Sequence, residues 1–125
     1  MPIAVAVSSV LFGAVHALNP NATILGVANI IVVGVLFAYA YISTKSLWLP
    51  VGLHIGWNLV EIQVLGFPGS GHTEPSILHS MTKGPELVTG GAFGPEGGIL
   101  TLAAALLGVA ILAVSHQVAV GRKKR

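Results

Sequence analysis

Four long apolar runs, parted by short polar breaks and one Gly- and Pro-rich stretch, organise this chain. The first, Pro2 to Leu18, has about the minimum length of a membrane span and is stopped by Asn19-Pro20-Asn21. Thr23 to Ile42 is a full-length span with Asn29 as its polar interruption. Leu47 to Leu65 is the third run, with Pro50 tolerable in a first helical turn. Ile99 to Val120 is the last, closing at Gly121 and Arg122-Lys123-Lys124-Arg125. Residues 66–98 form a long Gly/Pro-rich loop holding three of the four glutamates, with a short turn expected over Ser76 to Met81. The pattern predicts an all-α polytopic membrane protein. About four transmembrane helices would pack around a polar intramembrane cavity, as one domain over residues 1–125.

Composition strengthens that picture. Of 125 residues 54% are hydrophobic and 8% charged, against about 25% charged in a soluble domain, so the lipid bilayer is the expected partner. Absence of cysteine excludes disulfides, iron–sulfur clusters and thiolate metal sites. No basic, aromatic-interleaved surface is apparent, which argues against nucleic acid. Met1-Pro2-Ile3-Ala4 has no charged region or cleavage pattern of a signal peptide, and its abrupt apolar start reads as the inside of a helix of something longer. In a four-span arrangement Lys45 and the four terminal basic residues share one side and Lys83 takes the other. The bias predicts cytoplasmic termini, with 121–125 as a basic cytoplasmic tail anchored at the lipid surface. Small-residue pairs at Gly34/Ala38, Gly52/Gly56 and Ala104/Gly108 are candidate helix contacts.

Two histidines, His16 and His54, fall inside the apolar runs. A strongly hydrogen-bonding side chain at bilayer depth is expensive and usually faces a polar cavity. His54, Asn58 and Glu61 stand at i, i+4 and i+7, on one predicted helix face, and Ser9, Phe12 and His16 share another. Each has a plainer reading. A lone histidine serves as a hydrogen bond between helices, Asn29 and Asn58 as interhelical glue, and Glu61 as a residue near a membrane surface. His72, His79 and His116 read as loop or helix-end residues. His16 and His54 could also be two Zn2+ ligands, but a catalytic zinc wants three protein ligands, and the third is missing or is Glu61. No His-Glu-x-x-His and no Gly-x-Ser-x-Gly occurs.

At these residues the chain resembles the CPBP family of intramembrane proteases, which includes the CAAX-processing endopeptidases and bacteriocin self-immunity proteins. Phe12 and His16 match that family's Phe-x-x-x-His motif, and His54 and Asn58 its His-x-x-x-Asn motif. Flanking stretches are also similar: Asn19-Pro20-Asn21-Ala22, Ser46-Leu47-Trp48-Leu49-Pro50, and Gly90-Gly91-Ala92-Phe93-Gly94-Pro95-Glu96-Gly97-Gly98. The resemblance implies an intramembrane endopeptidase in a bacterial cytoplasmic membrane, acting on a membrane-associated peptide or protein. His16, His54 and Asn58 would be catalytic, with Phe12 and Glu61 in support. The histidines and the asparagine would either hold a metal, with Zn2+ as the cofactor and His16 and His54 as ligands, or polarise the scissile carbonyl.

The family's third motif, Glu-Glu-x-x-x-Arg, should precede Phe12, and the 11 residues before it contain no charged side chain. Its glutamate is taken to activate the attacking water. Three explanations stay open: the chain is the C-terminal portion of a longer member, it is an inactive homologue, or Glu61 replaces the base. The competing class is a non-catalytic immunity or scaffold protein that binds peptides through the same cavity.

Depth poses a conflict. His16 lies just before the Asn19-Pro20 turn, whereas His54 is nine residues past Lys45. At about 1.5 Å per residue, straight helices leave them about 10–15 Å apart. A shared site therefore predicts that the Asn19–Thr23 turn dips into the membrane, with Asn19 and Asn21 satisfying backbone groups in a water-filled cavity.

Overall fold

The computed structural model describes residues 1–123, so the basic tail expected at 121–125 falls partly outside the described residues. The described chain is helical, without a strand: α1 (Pro2–His16), α2 (Ile24–Thr44), α3 (Trp48–Asn58), α4 (Glu86–Thr89) and α5 (Ile99–Lys123). Local chemistry sets these boundaries. Pro2 opens α1, where its missing N–H costs nothing. Thr23 caps α2, its Oγ1 accepting the Gly26 N–H at 3.0 Å. Lys45 ends α2 in the left-handed region at φ 56° and donates its N–H to Tyr41 O at 2.7 Å.

Two helices, α2 and α5 (through Gly121), are long and apolar enough to cross a membrane. The other two predicted spans differ from expectation. The first run yields a helix of 15 residues, about 22 Å long against a hydrocarbon core of about 30 Å. The third does not continue as one α-helix. After Asn58 it passes into a π-helical stretch, Leu59–Val64, where Leu65 N–H bonds back to Val60 O at 2.9 Å. The wider turn leaves carbonyls over, and the long loop folds back to take them. Ile77 N–H reaches Gln63 O at 2.8 Å and Leu78 N–H reaches Val64 O at 3.0 Å. Backbone groups at a helix end must be met somewhere, and here the loop meets them. The last run extends three residues past its predicted end at Val120, because α5 continues to Lys123.

α2 lies at the centre, packed against α1, α3 and α5. Its approach to α1 depends on Gly34: a Cβ there would lie 2.9 Å from Ser9 Cα, and Ser9 is completely buried. Gly108 of α5 packs against the Leu36 side chain of α2 in the same way. The third predicted pair behaves differently. Gly52 and Gly56 have nothing within 4 Å of an added Cβ, so they mediate no close helix contact among the described residues.

Residues 66–98 carry more structure than a loop reading suggests. Besides α4 they contain 3-10 turns at Gly91–Phe93 and Pro95–Gly97, and the second of these packs between α2 and α5. Phe93 is fully buried. Asn29, also fully buried, donates from Nδ2 to Glu96 O at 2.8 Å and to Gly98 O at 2.9 Å. It is glue, as its residue type suggests, but it joins a helix to the loop rather than to another helix.

Candidate active site

The turn that ends α1 folds the His16 ring back over its own helix. Side chains on a helix lean toward its N-terminus, and the ring comes to rest on Phe12, with centroids 4.6 Å apart. His16 Nδ1 lies 2.7 Å from the Phe12 carbonyl oxygen. A carbonyl can only accept, so Nδ1 carries a proton and Nε2 is the ring nitrogen left free of that bond.

From α3, His54 meets the edge of the same Phe12 ring at 5.6 Å and lies 5.3 Å from Phe37 of α2. Phe12 and Phe37 touch edge to face at 5.8 Å. The two histidines therefore both pack against one phenyl ring, and both line one cavity of about 160 Å3. Both rings reach Phe12 and the same cavity despite the depth difference expected from straight helices. Asn19 does meet a backbone group as expected, its Nδ2 donating to Ser70 O at 3.0 Å. Asn21 takes a left-handed backbone at φ 57°.

Most of the cavity wall is apolar, including Ile30, Val33, Leu36, Leu53 and Ala105, so the polar cavity expected from sequence is instead an apolar one with few polar groups. Those groups are His16, His54, Thr101, the Trp57 indole and Glu96. Asn58 and Glu61 are not among the lining residues. α3 turns Leu53, His54 and Trp57 toward the cavity, and Asn58 is a further step of about 100° round the helix. Glu61 lies beyond the change to π-helical winding, which breaks the i, i+4, i+7 alignment predicted for His54, Asn58 and Glu61. It is 3% exposed, neither carboxylate oxygen has a hydrogen-bond partner, and Oε2 lies beside Gly69.

Glu96 was the residue not singled out. It is 7% exposed, its Oε2 accepts a short hydrogen bond from Ser70 Oγ, and Asn29 and Thr101 hold the backbone around it. A signal was present in the sequence: one charged residue within a run of five glycines and a proline, where tight backbone turns carry it inward. Read as loop, that stretch gave no hint that it packs against α2.

The donor set bears on the metal expectation. Among the described residues no group of three His, Asp or Glu side chains comes together to hold an ion. His16 and His54 thus lack a third ligand, and the residues present do not fit a catalytic zinc.

Comparison with known families supplies the class. Residues 1–60 match the family model of the type II CAAX prenyl endopeptidases, described as Rce1-like. The matched segment runs from α1 through α3 and includes Phe12, His16, His54 and Asn58. The match supports membership of the CPBP/CAAX protease family, and the segment similar to it carries both histidine motifs. No curated protein and no solved structure matches the chain.

Proposed function

We propose that this chain forms the histidine-bearing part of an intramembrane endopeptidase that hydrolyses a peptide bond of a membrane-associated polypeptide, in a bacterial cytoplasmic membrane. The observation that carries the reading is the packing of His16 and His54 against the same Phe12 ring, at 4.6 and 5.6 Å, in one cavity.

Their roles differ. Amide hydrolysis needs a donor to the carbonyl oxygen as charge builds on it, and a group that orients the attacking water. His54 has no backbone bond fixing its tautomer and is suited to donate an N–H to the carbonyl oxygen. His16, with Nδ1–H engaged by Phe12 O, offers Nε2 as an acceptor for a water hydrogen. Aliphatic walls around them keep the local dielectric low, which strengthens both interactions. Asn58 and Glu61 stand outside the lining of this cavity. Four helices enclosing the cavity would complete the membrane arrangement, with α1 and α3 as short helices flanking the two long ones.

Replacing His54 with Ala in the full chain, reconstituted in liposomes with a membrane-tethered peptide, tests the reading. Cleavage should fall by about 10²–10³-fold, the cost of removing one oxyanion donor. Cleavage at the wild-type rate would overturn it.

A further inference from the structure

The long connection between the third and fourth apolar runs contains a stretch, residues 75–82, without Asp, Glu, Lys or Arg, and Glu74 and Lys83 close it at either end. Its large apolar side chains turn outward. Ile77 is 77% exposed, Met81 81% exposed, and Leu78 is more than half exposed. A contiguous apolar patch of this kind marks a surface that something other than water covers.

The backbone beneath the patch is tied down. Ile77 N–H and Leu78 N–H bond to Gln63 O and Val64 O, at 2.8 and 3.0 Å. Ser76 Oγ donates to Leu78 O at 2.7 Å, and Ser80 Oγ to Leu65 O at 2.6 Å. Gly66 permits the close approach: its φ is 73°, and a Cβ there would fall on Leu78 O. In water these backbone groups could be solvated without partners in the chain. In lipid they could not, because hydrocarbon offers nothing for a free N–H or C=O to bond.

Location points the same way. The carbonyls that the segment takes belong to the end of the third apolar run, where Leu59 and Val60 are themselves half exposed. That run is short. The α-helical and π-helical parts together cover residues 48–64, at most about 25 Å at 1.5 Å per residue, against about 30 Å of hydrocarbon. A span of that length reaches the interface with nothing to spare, and the segment folded onto its last turn lies at that depth.

We propose that residues 76–81 form a lipid-inserted loop. Ile77, Leu78 and Met81 sit at the boundary of headgroups and acyl chains, the level at which amphipathic segments lie, while Glu74 and Lys83 stay at the aqueous edge. The occupant of the patch is the bilayer itself, because the apolar side chains continue the exposed end of the third run and the charges stop at both margins. The proposal goes beyond the endopeptidase reading and does not depend on it. Its consequence reaches the site all the same. The same connection runs on to Glu96, which lines the histidine cavity, so the anchor sets the height in the membrane of one cavity wall.

The chain has no cysteine, so a single introduced thiol carries a nitroxide label at one known place. Ile77→Cys, Leu78→Cys and Met81→Cys are each made in the full chain, labelled and reconstituted in phosphatidylcholine–phosphatidylglycerol liposomes. Glu74→Cys and Lys83→Cys serve as aqueous references, and Val114→Cys, at a position 60% exposed on α5, as the lipid reference. Power saturation compares collisions with oxygen, which concentrates in lipid, and with a water-soluble nickel chelate. The oxygen-to-nickel ratio for labels at Ile77, Leu78 and Met81 should stand several-fold above that at Glu74 and Lys83 and approach that at Val114. Ratios equal to the aqueous references place the segment in water and overturn the proposal. Few collisions with either reagent mean a protein cover, a second copy where the labels broaden one another, and overturn it as well. A low ratio at Val114 too would overturn the membrane reading itself, whereas loss of peptide cleavage bears on the endopeptidase reading alone.

Discussion

Asn29→Ala should destabilise the protein by about 2 kcal/mol. Asn29 is fully buried and donates two hydrogen bonds, at 2.8 and 2.9 Å, to Glu96 O and Gly98 O. A buried polar group left without a partner costs about 1–3 kcal/mol. Side-chain hydrogen bonds within membrane proteins average nearer 0.6 kcal/mol. Three features keep the cost for the two carbonyls near the lower end of the first range, about 1 kcal/mol each. Gly98 O keeps a long bond from Leu102 N–H at 3.5 Å. Asn29 Oδ1 is already without a partner, so its loss removes an existing penalty. The packing volume lost is small. Two kcal/mol is about 30-fold in the folding equilibrium, within reach of denaturant titration in mild detergent. Asn29→Asp keeps the shape but presents oxygens to both carbonyls, and should be worse than Asn29→Ala. A stability loss below about 0.5 kcal/mol for Asn29→Ala, or an Asn29→Asp variant as stable as wild type, would refute the reasoning that this side chain clamps the Glu96 turn.

Three further outcomes follow from the packing. Gly34→Val sets a side chain against the Ser9 backbone, where the built Cβ already sits at 2.9 Å. It should cost about 1–3 kcal/mol in the same titration by forcing α1 off α2, and a wild-type midpoint would contradict the close approach. Gly94→Ala places a Cβ on the Pro68 carbonyl at a backbone φ of 98°. It should cost at least about 1–3 kcal/mol; unchanged stability would show that the loop relaxes freely. Gly52→Ala meets nothing within 4 Å and should be neutral or stabilising, by up to about 1 kcal/mol of helix propensity. A marked loss there would mean that the Gly52 face packs against something outside this chain.

How much of this was legible from sequence depends on the range of the cause. Boundaries set by neighbouring residues were readable: Asn19-Pro20 after α1, Thr23 at the start of α2, and Lys45 before α3 all act within a turn of themselves. His16 and His54 were readable as costly groups in apolar runs, and the motif spacing pointed to a family that the match over residues 1–60 supports. Three things were not readable. The π-helical winding at Leu59–Val64 depends on loop residues Ile77 and Leu78 taking carbonyls from Gln63 and Val64, a contact no local pattern encodes. That winding removes Glu61 from the face predicted for it. The bridging of His16 and His54 through Phe12 needed side-chain direction as well as helical rise, since backbone depth alone puts the rings too far apart. Glu96 depended on a long-range clamp by Asn29, whose partner could not be chosen from the sequence.

The central claim is that His16 and His54 act on one substrate group in one cavity, and a double-mutant comparison tests it most directly. Cleavage of the tethered peptide is measured for His16→Ala, His54→Ala and the combined variant in liposomes. Residues that work as a unit are strongly non-additive, so the double variant should be about as slow as the slower single one. A double variant whose loss equals the product of the two single losses, or either single variant cleaving at the wild-type rate, would contradict a shared site.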